Sequence, residues 1–342
     1  MIYRNVTATQ FGGPEVLKVM ENDLREPAAG EVRIRVLAAS VCRPDVTARR
    51  GEGLYSGTKL GQKAPFVPGY SVIGDVDAIG AGVCEVRVGD RVGALTVIGG
   101  YSEYLYWSSD RLIQVPASLD PAKAVPLILN YIVVYQVMHR AAKVKAGEKV
   151  LIIGASGGIG TAALQLGRQA GLKMYGLASK SKQDIVRAYG AVPIDYASQN
   201  FVDVIHELEP DGIDVVVDGM MRPEMIQSGL SLLKRGGRWV GFGEPESRSS
   251  LLRVLGIAVR TNLMPNGKSF KLYGTSSYFL GMRKPFLEDW AALFRLMGEG
   301  KIDPVIEERV PILEAARANM LLENGQVTGN IVLIAPELLR EV

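Results

Sequence analysis

The sequence predicts a two-domain α/β protein: a doubly wound parallel sheet beside an irregular, mostly β domain. Three observations carry that expectation. From Met1 to about Pro116 the chain runs in short β-prone segments broken by Gly and Pro. Near Asp120 the rhythm changes to near-continuous apolar strands alternating with amphipathic helices, the pattern of a parallel sheet covered on both faces. A chain of 342 residues is also long for a single hydrophobic core.

In the first region "EVRIRVLAAS" and "SVIGDVDAIG" alternate as strands do, and "GYSEYLYWSS" adds an aromatic strand. "PAAGE", "GVCEVRVGD" and "VIGG" supply the turns between them. "LDPAKAVPLILNYIVVYQVMHRAAKV" then reads as a buried helix opened by Asp-Pro. Its most apolar part, Val125 to Met138, is too short to span a bilayer and is interrupted by Asn130 and Gln136. Strands and helices alternate from "KVLIIG" to "RWVGFG", and "SFKLYGTSS" is expected to supply the last strand. Beyond Ser277 a helix, a β stretch, a short helix and a terminal strand "GNIVLIAP" are too few for a domain and are expected to rejoin the first one. The boundaries so read are 1–125, 126–277 and a return segment 278–342.

Composition narrows the function classes. With 47% hydrophobic and 22% charged residues the chain is of the soluble globular kind. A net charge of +3 without a dense Lys/Arg block leaves no nucleic-acid footprint. The N-terminus carries neither a signal-peptide nor a transit-peptide pattern, so a cytoplasmic protein with no membrane partner is expected. Two cysteines, Cys42 and Cys84, make neither a disulfide framework nor a zinc lobe and suit a reducing compartment.

The chemistry is concentrated in "LIIGASGGIGTAALQLG". Between a strand and a helix, Ala155, Gly157 and Gly160 take the three small-residue positions of a dinucleotide fingerprint. The first allows a tight turn, the second lets a pyrophosphate approach the backbone, and the third lets helix and strand pack closely. With Ser156, Gly158 and Ile159 they build a helix start whose N–H groups and dipole face phosphates. This is a Rossmann signature; no Gly-Lys-Ser/Thr follows that would make it a Walker loop. The next strand, "KMYGLAS", ends about twenty residues further on, where an NAD site places Asp or Glu. Ser179 stands there, followed by Lys180, Ser181 and Lys182. A carboxylate would repel a 2′-phosphate, whereas a hydroxyl and ammonium groups bind it, so NADPH is the expected cofactor.

Several stretches together resemble the medium-chain dehydrogenase/reductases: "FGGPEVLKVMEN", "GEVRIRVLAASVCRPDVTARRG", "PFVPGYSVIGDVDAIGAGV" and "VGDRVGAL". "LNYIVVYQVMHRAAKVKAGEKVLIIGASGGIGTAALQLG" and the C-terminal "EGKIDPVIEERVPILEAARANMLLENGQVTGNIVLI" are similar to the zinc-independent quinone oxidoreductase branch. The resemblance spans nearly the whole chain. It implies a GroES-like catalytic domain, completed by the C-terminal segment, beside a Rossmann domain, with NADPH held in a cleft between them. It further implies that Lys182 and Tyr196 bind the 2′-phosphate, and that Gly241, Phe242, Gly243 and the stretch from Phe270 to Ser276 lie near the cofactor. A homodimer joined through the last Rossmann strand is implied as well.

Departures from the family pattern matter equally. Cys42 in "VCRPD" sits where zinc-dependent relatives place their first ligand, but Gly69-Tyr70-Ser71 replaces "Gly-His-Glu", and "LILNY" offers no third ligand. One thiol cannot hold a tetrahedral zinc, so no metal is expected. The zinc-free branch often has Asn at Cys42, Tyr at Thr47 and Thr at Val133, whereas Asp45, Arg50 and Asn130 match it. With no metal, and with both histidines, His139 and His206, placed elsewhere, the chemistry expected is hydride transfer to a quinone or an α,β-unsaturated ketone or aldehyde, whose reduced form takes its proton from solvent or a ribose hydroxyl. Cys42, Thr47, Tyr55, Tyr70 and Asn130 are the residues expected on the substrate side. For Cys42 a small buried hydrophobe is the competing role. Two other readings stand beside this one: a reductase dedicated to one biosynthetic enone, and a non-catalytic NADPH-binding protein.

Overall fold

Strand alternation in the first region produces β1 (Ile2–Ala8) and β2 (Leu17–Asp23), paired as an antiparallel hairpin. In the computed structural model, which describes residues 1–53, 58, 61–275, 279 and 281–339, the chain divides into two units. The first comprises Met1–Leu129 and Trp290–Val342, the second Asn130–Asp289.

The first unit is built around β3 (Glu31–Val41), which pairs antiparallel with β4 (Ser71–Ile79), β6 (Tyr104–Ser108) and β15 (Asn330–Ile334). The sheet continues from β4 to β5 (Arg91–Leu95) and β7 (Ile113–Gln114), and from β15 to its parallel neighbour β14 (Ile306–Pro311). The C-terminal strand is thus an internal member of the N-terminal sheet. In β3, Val32, Ile34 and Val36 point into a core shared with Val72, Val76, Val92 and Leu333, while Arg33 and Arg35 point away. From Leu37 onward β3 is buried on both faces, because the helix starting at Pro121 packs over it. Helix α1 (Arg43–Arg50) follows β3 directly and ends at Gly51 in the left-handed region.

The second unit carries a six-stranded sheet in the order β10 (Val192–Asp195), β9 (Lys173–Ala178), β8 (Lys149–Ile153), β11 (Ile213–Asp218), β12 (Leu233–Phe242), β13 (Ser269–Tyr273). Every pairing in it is parallel. The order reverses between β8 and β11, the switch point at which doubly wound sheets bind their ligands. Buried Leu151, Tyr175, Ile194, Val216 and Trp239 form the core on one side of this sheet.

Helix α2 runs Pro121–Ala142, within the stretch read as a helix opened by Asp-Pro, and by length and composition it could cross a membrane. Instead, 89% of its apolar window is buried inside the protein. Its start is strong: the Asp120 carboxylate accepts from Ala122 N–H at 2.9 Å, and Pro121 holds the first helical position. Two π-helical turns, Leu127–Tyr131 and Gln136–Ala142, interrupt it. The first follows Pro126, which has no N–H to give an α-helical bond.

Candidate active site

The glycine turn joins β8 to α3 (Gly158–Gln169). Gly154 takes a left-handed conformation (φ 77°), and Ala155 N–H bonds to Leu177 O at 2.9 Å, tying the turn to β9. A Cβ on Gly160 would lie 2.1 Å from the Gly154 carbonyl oxygen and 2.4 Å from the Ala155 carbonyl carbon. Only hydrogen fits there, which is the close helix–strand approach read from the sequence. A Cβ on Gly157 would meet nothing nearer than Gly154 O at 3.8 Å. The helix opens on Gly157 with no side-chain cap, so the first-turn amides of Gly158, Ile159 and Gly160 lack intrahelical acceptors. The turn therefore fits a pyrophosphate: a bare backbone, an open approach at Gly157 and a helix N-terminus.

At the end of β9, Ser179 leads into a short turn, Lys180–Lys182. The Ser179 and Ser181 hydroxyls lie 3.4 Å apart. Tyr196 is exposed just past the neighbouring strand β10. The one carboxylate at the tip of β10, Asp195, is engaged locally by Ser198 Oγ (2.7 Å) and Ala197 N–H (3.1 Å). These bonds, opposed by slight burial and helped by the charge of Lys180, hold its pKa below the ordinary value.

Gly241 and Phe242 end β12, and Gly243 turns away with φ 86°. A Cβ on Gly241 would strike Met221 Sδ at 2.4 Å, and one on Gly219 would strike the Phe242 ring at 2.8 Å. Buried Asp218 fixes this junction by accepting from Met220 N–H (2.8 Å), Met221 N–H (3.1 Å) and Trp239 Nε1 (3.2 Å). Burial raises its pKa despite those bonds. Phe270 is buried in β13 and stacks on Trp239, with ring centroids 6.3 Å apart and planes 7° from parallel. Ser276, at the end of the same expected stretch, lies outside the described residues.

In the first unit, Cys42 caps α1. Its N–H and its thiol both donate to Asp45 Oδ2, each at 2.9 Å. Tyr101 OH donates to the same oxygen at 3.1 Å, and Gly69 N–H donates to Oδ1 at 3.0 Å. Burial, then the adjacent Asp45 carboxylate, pushes the Cys42 thiol well above its ordinary pKa. It is held as a protonated donor rather than a nucleophile. Thr47 Oγ1 donates back to Arg43 O at 3.2 Å within its own helix. Tyr70 is half-buried, and its carbonyl accepts from Thr96 N–H (2.9 Å) and Val97 N–H (3.2 Å). Asn130 is buried in the first π-helical turn of α2, and Tyr55 lies outside the described residues. Sequence reading missed Tyr101 and Asn319 as members of this group. The Cys42–Asp45 spacing of a capping box was the local signal for the rest.

Comparison with known proteins agrees with this architecture. The family model for the alcohol dehydrogenase GroES-like domain matches residues 28–117, and that for zinc-binding dehydrogenases matches residues 189–333. The quinone oxidoreductase of Homo sapiens is 32% identical over 340 residues, covering 97% of this chain and 98% of that protein. That of Sus scrofa is 33% identical over 331 residues, 95% of each. The solved structure of a quinone oxidoreductase from Coxiella burnetii matches with a TM-score of 0.84 at 28% identity, over 98% of this chain and 100% of that one. A GroES-like domain with a glycine-turn Rossmann sheet defines an oxidoreductase that uses a nicotinamide cofactor on a small-molecule substrate. The chain belongs to the medium-chain dehydrogenase/reductases, in their quinone oxidoreductase branch.

The second family name raises zinc, and the donor set here does not fit it. The Cys42 thiol is committed to Asp45, and among the described residues no three His, Cys, Asp or Glu side chains gather to hold a metal.

Proposed function

We propose that the protein reduces a quinone, or an α,β-unsaturated ketone or aldehyde, with NADPH and without zinc. The observation that carries this reading is the end of β9: Ser179 stands where an NAD site needs a carboxylate, with Lys180 and Lys182 following. Ala155, Ser156, Gly157, Gly158, Ile159 and Gly160 would cradle the pyrophosphate, with Ser179, Lys182 and Tyr196 at the 2′-phosphate and Gly241, Phe242 and Gly243 along the dinucleotide. NADPH supplies the hydride when bound. The reduced acceptor leaves as a phenolate or enolate that takes one proton from solvent, so no tuned base is required. Tyr70 is assigned to the acceptor oxygen through its hydroxyl, with Thr47 and Asn130 as further polar contacts. The Cys42 thiol, bonded to Asp45, is assigned a packing role.

The reading extends to a cytoplasmic homodimer joined along β13. That strand ends the sheet order, and its Leu272 is exposed.

The test is anaerobic NADPH oxidation followed by absorbance, with a naphthoquinone and an alkenone offered separately. Turnover with either supports the reductase, and the better acceptor selects the subclass. Tight NADPH binding with no turnover on any enone or quinone would replace it with a non-catalytic binding protein.

A further inference from the structure

Asp45 has an unusual set of neighbours. It is 2% exposed, and every group bonded to it is a donor: Cys42 N–H, the Cys42 thiol, Tyr101 OH and Gly69 N–H. Only a side chain with acceptors at both ends suits that set; an amide in its place would turn an NH2 towards a donor. No cation is bonded to the carboxylate among the described residues. The nearest in the chain of bonds is Arg49, reached through Tyr101 and Asn319 (3.4 Å, then 3.3 Å), and Arg49 itself pairs with Glu323 of the helix Ala315–Glu323.

What these bonds hold is the backbone just before Tyr70. Gly69 sits at φ 114°, where a side chain is excluded: a Cβ would lie 2.5 Å from Gly100 Cα and 2.6 Å from Tyr101 N. Its N–H goes to Asp45, and its carbonyl accepts from Thr96 Oγ1 (2.6 Å) and Gly100 N–H (3.1 Å). The peptide on each side of Gly69 is therefore clamped, which fixes the backbone from which the Tyr70 side chain departs. Thr96 and Val97 fix the Tyr70 carbonyl from the far side.

We propose that Asp45 is a positioning residue for the reduction: by accepting from Gly69, Cys42 and Tyr101 together, it sets the left-handed turn that presents Tyr70 to the acceptor. The proposal rests on the assignment of Tyr70 to the acceptor oxygen. Under it, the part of "VCRPD" that serves the reaction is the carboxylate, and the thiol is one of its donors. The buried chain through Tyr101, Asn319 and Arg49 makes the C-terminal helix part of the same support.

A double-mutant cycle tests it, with Asp45→Asn, Tyr70→Phe and the pair, each assayed for acceptor KM, kcat and NADPH Kd. Asp45→Asn is expected to raise the acceptor KM about tenfold and leave the NADPH Kd within about twofold, because the glycine turn lies in the other unit. Tyr70→Phe should do the same, and the pair should be no worse than Tyr70→Phe alone, since the carboxylate acts through the tyrosine. Multiplying effects in the pair, with Tyr70→Phe itself impaired, would overturn the positioning role and leave the Tyr70 assignment standing. A Tyr70→Phe enzyme with unchanged KM would overturn both. Should Asp45→Asn not fold, Tyr101→Phe, which removes a single donor, carries the same cycle. It must show a smaller KM increase that again vanishes in the Tyr70→Phe background, and a persisting increase there overturns the proposal.

Discussion

Asp45 keeps its charge at a cost that pH can read. Burial pushes its carboxyl up from 3.8 to about 6, against four hydrogen bonds that pull it down. The folded chain therefore binds this proton more tightly than the unfolded one. The associated stability is fully present below about pH 4 and is lost as pH rises through 6, a change on the order of 3 kcal/mol. Urea denaturation across this range should show that decline in the wild type and lack it in Asp45→Asn; parallel profiles would refute it. Ionisation weakens the fold while satisfying every donor around the carboxylate, a trade of stability for geometry. The two cysteines offer a second check. Cys84 is exposed, whereas Cys42 is buried with a raised pKa. A thiol reagent should label one site per native chain and two after denaturation. Rapid native labelling of Cys42 would contradict the hydrogen-bonded thiol.

Among the elements, the glycine turn was the most legible in the sequence, because each small residue there answers to a local steric demand. The structure sharpens the distinction between two of those glycines. Gly160→Ala pushes a Cβ into backbone atoms of the turn and should cost about 1–3 kcal/mol of stability together with cofactor affinity. Gly157→Ala meets no protein atom closer than 3.8 Å and should keep its melting temperature while losing at least about tenfold in cofactor affinity. Thermal melting and fluorescence titration of both variants separate the effects; equal melting losses would contradict the cradle. Less was legible elsewhere. The π-helical turns inside α2 left no mark in the sequence beyond Pro126. Tyr101 reaches Asp45 from 56 positions away (101 − 45) and Asn319 reaches Tyr101 from 218 (319 − 101), and such contacts leave no local pattern.

For the whole molecule, the ordered set of motifs carried more than any one of them, and the return of β15 to the N-terminal sheet unites distant ends of the chain in one unit. The edge position of β13 leads to a further expectation: size exclusion with light scattering should give twice the 37.0 kDa chain mass, and a monomer mass would remove the proposed dimer. The central claim concerns which nicotinamide the protein takes, and calorimetric titration of NADPH and NADH into the wild type and Lys182→Glu measures it. A 2′-phosphate met by Ser179 and Lys182 through charge-assisted bonds should favour NADPH by at least about tenfold, and Lys182→Glu should erase most of that preference. Equal or tighter binding of NADH by the wild type would contradict the account.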